Sequence, residues 1–164
     1  MQKKIELVAN IAIVIVALLI SIFFVKQYRS INAAGAPVKA VASGTKISLP
    51  DVDWAKNQQT MLVVLAQGCH FCSESAPFYQ KLLQQTQKRG QTKMMAVFPQ
   101  GSSGGQKYMQ DMGVPVEEVK FASLDSIGVT GTPTLLLVNS EGVVTDIWVG
   151  QLAPDKEQEV LSRL

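Results

Sequence analysis

Cysteine and histidine are nearly absent from this sequence: its 164 residues include two cysteines, Cys69 and Cys72, and one histidine, His70. So few cysteines exclude a small domain held by a disulfide framework and leave the core to apolar burial. Structural zinc is disfavoured as well, because Cys69, His70 and Cys72 come from one short turn and no second Cys or His cluster supplies a further ligand. Charge is sparse, at 17% of residues against 47% hydrophobic, which excludes a disordered chain. Basic residues are missing where a nucleic-acid surface would need them. Residues 1–46 carry six Lys and Arg against one Glu, a net +5, whereas residues 47–164 carry nine against twelve acids, a net −3. No internal repeat or low-complexity tract is present, and the length suits one domain with an appendage.

Residues 7–25 (LVANIAIVIVALLISIFFV) contain no charge at all, with only Asn10 and Ser21 as polar interruptions. At about 1.5 Å per residue, such a helix nearly spans a hydrocarbon core of about 30 Å. A cleaved signal peptide is the competing reading, since Lys3 and Lys4 form a basic start and Asn32-Ala33-Ala34 offers small residues. Against it, the run is longer than the usual apolar region of about 7–15 residues, and Lys26 and Arg29 stand before those small residues. Residues 1–29 are therefore read as an uncleaved single-pass anchor contacting membrane lipid, with its span at 7–25. Lysines and arginines on both flanks leave orientation undecided by charge. The carboxy-terminal domain is placed outside the cytoplasm, periplasmic in a bacterium, by the common signal-anchor arrangement. Residues 30–45 (SINAAGAPVKAVASGT) have the small, polar composition of a flexible linker, followed by a domain over 46–164.

Within that domain the patterns alternate. Residues 61–66 (MLVVLA) form a short apolar run suited to a strand buried on both faces. Residues 71–88 follow with helical spacing, placing Phe71, Phe78, Tyr79, Leu82 and Leu83 on one side, with Gly90 as the stop. A strand is predicted over 93–98, a Gly/Ser loop over 100–105, a short helix over 106–112 ended by Gly113, and a strand over 118–121. Runs at 134–138 and 143–149 are joined by Asn139-Ser140-Glu141-Gly142, a hairpin signal, and a last helix covers 154–164. The order predicts an α/β sandwich around a mixed sheet whose last strands are antiparallel. Trp54, Trp148, Met94, Met95, Met109 and Met112 are read as packing residues.

Cys69-His70-Phe71-Cys72 places two thiols three residues apart at the predicted start of the first helix. Unpaired backbone N–H groups there favour a thiolate, which makes Cys69 the candidate nucleophile. Cys72, one turn inside, is the candidate resolving thiol that attacks a mixed disulfide formed at Cys69. A protonated His70 would further stabilise the Cys69 thiolate. A purely structural disulfide across so short a loop would close little chain and stabilise weakly.

The segment Cys69-His70-Phe71-Cys72-Ser73-Glu74-Ser75-Ala76-Pro77 resembles the active-site helix of the thioredoxin superfamily, including a proline five residues after the second cysteine. Pro77 predicts a kink, because it removes an intrahelical bond. Val129-Thr130-Gly131-Thr132-Pro133-Thr134 resembles the family's cis-proline loop, which implies a cis Pro133 beside the cysteines and Thr132 as a backbone contact for an extended substrate. Within the superfamily the chain looks most like the membrane-anchored TlpA/ResA/CcmG group. That likeness implies a thioredoxin-like three-layer sandwich with a helix-and-strand insertion between Cys72 and Pro133. It implies no cofactor beyond the Cys69–Cys72 disulfide, protein thiol or disulfide substrates, and a membrane or soluble thiol donor. Departures touch redox tuning. Gly68 replaces a tryptophan, His70-Phe71 replaces a Gly-Pro or Glu-Pro dipeptide, and Val63 stands where many relatives carry a buried acid. Glu74 is the substitute considered for that acid, although the group's own acid would fall nearer Ser75. His70, Phe71 and Glu74 are thus the candidate redox-tuning residues.

The reading reached is a membrane-tethered thiol-disulfide oxidoreductase that reduces disulfides of extracytoplasmic proteins such as apocytochrome c. A thiol oxidant of the DsbA type, or a non-catalytic binding or metal-delivery module of the same fold, are the alternatives. Copper delivery in this fold uses a distant histidine, which this chain lacks outside His70. Peroxidase chemistry is disfavoured because Ala66-Gln67-Gly68-Cys69 does not provide the Pro-x-x-x-Thr/Ser-x-x-Cys setting.

Overall fold

The computed structural model describes residues 40–164 together with Val16, Ile20 and Ser21. Apart from those three residues, the predicted span at 7–25 lies outside the described residues, as does most of the predicted linker. Among the described residues no helix is long and apolar enough to cross a membrane.

Five strands form one sheet: β1 (Gln59–Val64), β2 (Thr92–Phe98), β3 (Glu118–Phe121), β4 (Thr134–Asn139) and β5 (Val144–Val149), in the spatial order β3-β2-β1-β4-β5. β1 and β2 are parallel, as are β2 and β3, whereas β4 is antiparallel to β1 and β5. The mixed sheet and the closing hairpin therefore match the alternation read from the sequence. In that hairpin the Asn139 Oδ1 accepts from the backbone N–H groups of Glu141 and Val143, and Gly142 takes a left-handed φ of 79°. Within residues 40–164 four α-helices complete the fold: α1 (His70–Glu74), α2 (Ala76–Arg89), α3 (Ser102–Asp111) and α4 (Pro154–Arg163).

Alternate residues of the sheet divide between two cores. Met61, Val63, Leu65, Met94, Ala96, Phe98, Leu135, Leu137 and Trp148 pack with Cys72, Phe78, Tyr79, Leu82, Met109 and Val160, which come from all four helices. Leu62, Val64, Met95, Val97, Leu136, Val138 and Val144 pack instead with Ile47, Leu49, Ala122, Ile127 and Val129. The helices α1 to α4 thus all lie on one face. The other face is covered by irregular chain with 3-10 turns at Trp54–Lys56 and Asp125–Ile127, so the third layer of the expected sandwich is not helical. Parallel order explains the asymmetry, since both right-handed crossovers, β1-α2-β2 and β2-α3-β3, step in the same direction and place their helices on the same side. Trp54 and Trp148 pack against these cores, as do Met94, Met95, Met109 and Met112. The last residues of the predicted linker are bonded to the domain, with the Val41 N–H donating to the Gly128 carbonyl and the Ser43 hydroxyl to the Thr145 carbonyl.

Two expectations are corrected. The helix predicted over 71–88 is two helices that break at Ser75, two residues before Pro77, whose ring nitrogen has no proton to donate. Because of the break, Phe71 does not share the buried stripe of α2. It is 55% exposed while Cys72 takes the inward position. The Gly/Ser loop predicted over 100–105 is helical from Ser102 onward. Its glycines serve close packing: a Cβ at Gly105 would lie 2.5 Å from Phe98 Cδ2 and 2.9 Å from Val119 Cγ1.

Candidate active site

Topology brings the site together. The antiparallel register pairs Val64, the last residue of β1, with Thr134, the first of β4, so the loop leaving β1 and the loop entering β4 emerge at one end of the sheet. Val64 also pairs with Val97 near the end of the parallel β2, so the loop that starts α3 emerges there too. Val149 at the end of β5 faces Thr134, and the Gly150 N–H donates to the Pro133 carbonyl at 2.8 Å. Ligand sites of open α/β sheets form at such strand ends.

Cys69 is the N-cap of α1, with β-region dihedrals (φ −76°, ψ 112°), and its sulfur accepts the Cys72 backbone N–H at 3.2 Å. This is the contact expected to favour a thiolate when the pair is reduced. Cys69 is joined to Cys72 as a disulfide with a Cα–Cα distance of 5.2 Å. Cys69 is half-buried and Cys72 fully buried, so an incoming group reaches the first sulfur and not the second. The Thr132–Pro133 bond is cis, as the resemblance implied, and places the Thr132 carbonyl oxygen 3.6 Å from Cys69 Sγ. Cys69, Cys72, Thr132 and Pro133 thus converge across 63 positions of sequence.

His70 and Glu74 meet each other and face solvent. His70 Nε2 lies 3.1 Å from Glu74 Oε1, one helical turn away, and the imidazole side chain is 77% exposed. The imidazole is thus engaged by the Glu74 carboxylate on an exposed face of α1, and Glu74 is not a buried proton carrier. Phe71 touches the His70 ring, with centroids 5.7 Å apart, and presents its own ring to solvent. Beneath Cys72 the surroundings are apolar: Val63 is fully buried in the same cluster. The polar atoms near the helix break are hydroxyls. Ser75 Oγ donates to the Phe71 carbonyl at 2.8 Å, and burial pushes the nearby Tyr79 phenol up to about 12.

Residues that sequence reasoning missed lie on the α3 side. Ser73 Oγ is 2.8 Å from the Tyr108 hydroxyl, and Gln100 Oε1 accepts the Gln67 N–H at 3.4 Å. Single polar residues 35 and 33 positions apart carry no local pattern, so no signal in the chain announced these pairs. Among the described residues no group of three or more His, Cys, Asp or Glu is placed to hold a metal ion.

A half-exposed cysteine capping a helix, disulfide-linked to a buried partner and set against a cis-proline on a mixed sheet, defines the thioredoxin-fold class of thiol-disulfide oxidoreductases. The family model described as Thioredoxin-like domain matches residues 54–164, and the chain belongs to that family. Among curated proteins no sequence matches. Solved structures share the fold. One assigned as thiol:disulfide interchange protein DsbE from Chlorobium tepidum aligns with a TM-score of 0.59 and 22% identity over 76% of this chain and 96% of that one. A thiol:disulfide interchange protein from Bacteroides sp. aligns with a TM-score of 0.58 and 16% identity over 74% and 90%. StoA from Bacillus subtilis aligns with a TM-score of 0.51 and 15% identity over 74% and 98%.

Proposed function

We propose that this chain is a membrane-tethered reductant of disulfides in extracytoplasmic proteins, apocytochrome c being one such substrate class. In this reading the Cys69 thiolate attacks a substrate disulfide and expels one substrate thiolate, giving a mixed disulfide. Cys72 then attacks Cys69 Sγ, the second substrate thiol leaves, and the Cys69–Cys72 bond forms. Two electrons have passed to the substrate, and a membrane or soluble dithiol donor restores the pair. Thr132 offers its backbone to the substrate segment, and Pro133 shapes the groove.

The observation that carries the direction is the His70–Glu74 pair at 3.1 Å. Strong oxidants of this fold owe their potential to a stabilised reduced form. Here the histidine that could supply that stabilisation is held by a carboxylate, which leaves the Cys72 N–H and the Thr132 carbonyl as the polar contacts on Cys69 Sγ and favours a reducing pair. Tethering is supported by the uncharged run at 7–25, where Val16 and Ile20 are apolar and exposed. The test is the reduction potential of the full chain equilibrated with glutathione or dithiothreitol buffers. A transition near or below about −230 mV is the expected result, one near about −120 mV would make the protein an oxidant, and no reversible transition would leave a binding module.

A further inference from the structure

We propose that Tyr108 is a positioning residue for disulfide exchange, acting through Ser73 on the carbonyl of Cys69. The inference rests on the Cys69–Cys72 pair being a reversible redox couple. α1 has five residues and parts from α2 at Ser75, so it is too short to hold its own geometry. Its first carbonyl, that of Cys69, accepts both the Ser73 N–H at 3.2 Å and the Ser73 hydroxyl at 3.4 Å. With the Ser73 proton so directed, the Tyr108 hydroxyl donates to Ser73 Oγ across 2.8 Å. The phenol is a fixed post. Its ring stands edge-on to Phe98 with centroids 5.6 Å apart, and α3 is seated against the same ring by Gly105.

In the oxidised protein the disulfide itself cross-links this turn. Reduction removes the cross-link, and the chain from Tyr108 through Ser73 to Cys69 then holds the cap geometry in which the Cys72 N–H meets the Cys69 sulfur. The tyrosine bond therefore contributes more to the dithiol than to the disulfide. Its loss disfavours the dithiol and makes the pair a stronger reductant.

The experiment equilibrates the full chain, in mild detergent, with glutathione buffers. Two glutathione thiols become one glutathione disulfide as Cys69–Cys72 takes up two electrons and two protons. Tyr108→Phe keeps the ring on Phe98 and removes the hydroxyl, and Ser73→Ala removes the other partner. A hydrogen bond of ordinary net strength predicts that each variant lowers the equilibrium constant for reduction about fivefold, or about 20 mV, with the double variant no lower than either alone. Iodoacetamide alkylation of Cys69 should slow in parallel. Constants within twofold of the parent, or effects that add in the double variant, would overturn the inference. A loss of melting temperature equal in both redox forms, with the constant unchanged, would assign Tyr108 to structure alone. Failure of the parent to show any reversible transition would remove the functional reading itself, and this inference with it.

Discussion

Two adjacent glycines in one helix should respond oppositely to the same substitution. Gly104 and Gly105 both lie in α3 without a left-handed φ, so alanine at either place gains up to about 0.5–1 kcal/mol of helix propensity. At Gly104 the added methyl meets only the amide end of Gln67, an exposed and flexible side chain that can swing aside. At Gly105 it meets Phe98 Cδ2 at 2.5 Å, Phe98 Cγ at 2.9 Å and Val119 Cγ1 at 2.9 Å, distances that force the helix off the sheet. Phe98 is fully buried and has no room to retreat. Overpacking of this kind costs about 1–3 kcal/mol. Because the propensity gain is common to both variants, Gly105→Ala should fall below Gly104→Ala by about that amount, with a melting temperature about 2–4 °C lower per kcal/mol in a chain of this size. Urea denaturation with an unchanged slope is the assay, since it separates stability from a change in the unfolded state. Gly105→Ala equal to or more stable than Gly104→Ala would refute the packing argument and return these glycines to a loop-forming role.

Ser in place of Cys69 should abolish disulfide exchange, whereas Ser in place of Cys72 should trap substrates as mixed disulfides visible on non-reducing gels; activity indifferent to both changes would sink the exchange mechanism. The Lys93 ammonium bonded to Glu118 holds that carboxyl below the usual range, with Lys120 at 3.3 Å adding to the effect, while Lys93 itself is raised by the same bond. A depressed carboxyl gives stability that is present above its unfolded value near 4.5 and is lost as pH falls through the lower folded value. Glu118→Gln should therefore flatten that acid limb of a stability–pH curve while leaving neutral-pH redox activity intact, and an unchanged acid limb would argue against the pairing.

The sheet was legible because its signals are local. Apolar runs of strand length, the Asn139–Gly142 turn and the segment preceding Pro133 each carry their information within a few residues, and the observed strands follow them. The start of α3 is not legible for a physical reason: glycine favours loops by conformational freedom and also permits close approach, and only the position of Phe98 decides between the two. A single helical period carried through Ser75 places Phe71 on the buried stripe, but the bonding pattern breaks there. Whether His70 acts on Cys69 depends on its ring direction, which the sequence does not give, and an i,i+4 carboxylate competes for the same ring. Ser73 and Tyr108 were invisible, since a contact across 35 positions exists only once both crossovers have placed α1 and α3 side by side.

The reactive sulfur thus lies between two supports of different origin. On one side the cis Thr132–Pro133 loop brings a carbonyl oxygen to 3.6 Å, and on the other α1 supplies the Cys72 N–H at 3.2 Å. A carbonyl facing sulfur disfavours a thiolate, while an N–H favours it, so the balance depends on how firmly the five-residue helix is held. The cap geometry is local to Cys69 and Ser73, but its rigidity comes from α3 through Tyr108 and from the packing of Gly105 on Phe98. The buried surroundings of Cys72, with Val63 in place of an acid, supply no charge that could override this balance from below. If Tyr108 positions the first turn of α1 as proposed, substitutions that loosen α3 should be felt at Cys69 before they are felt in the sheet.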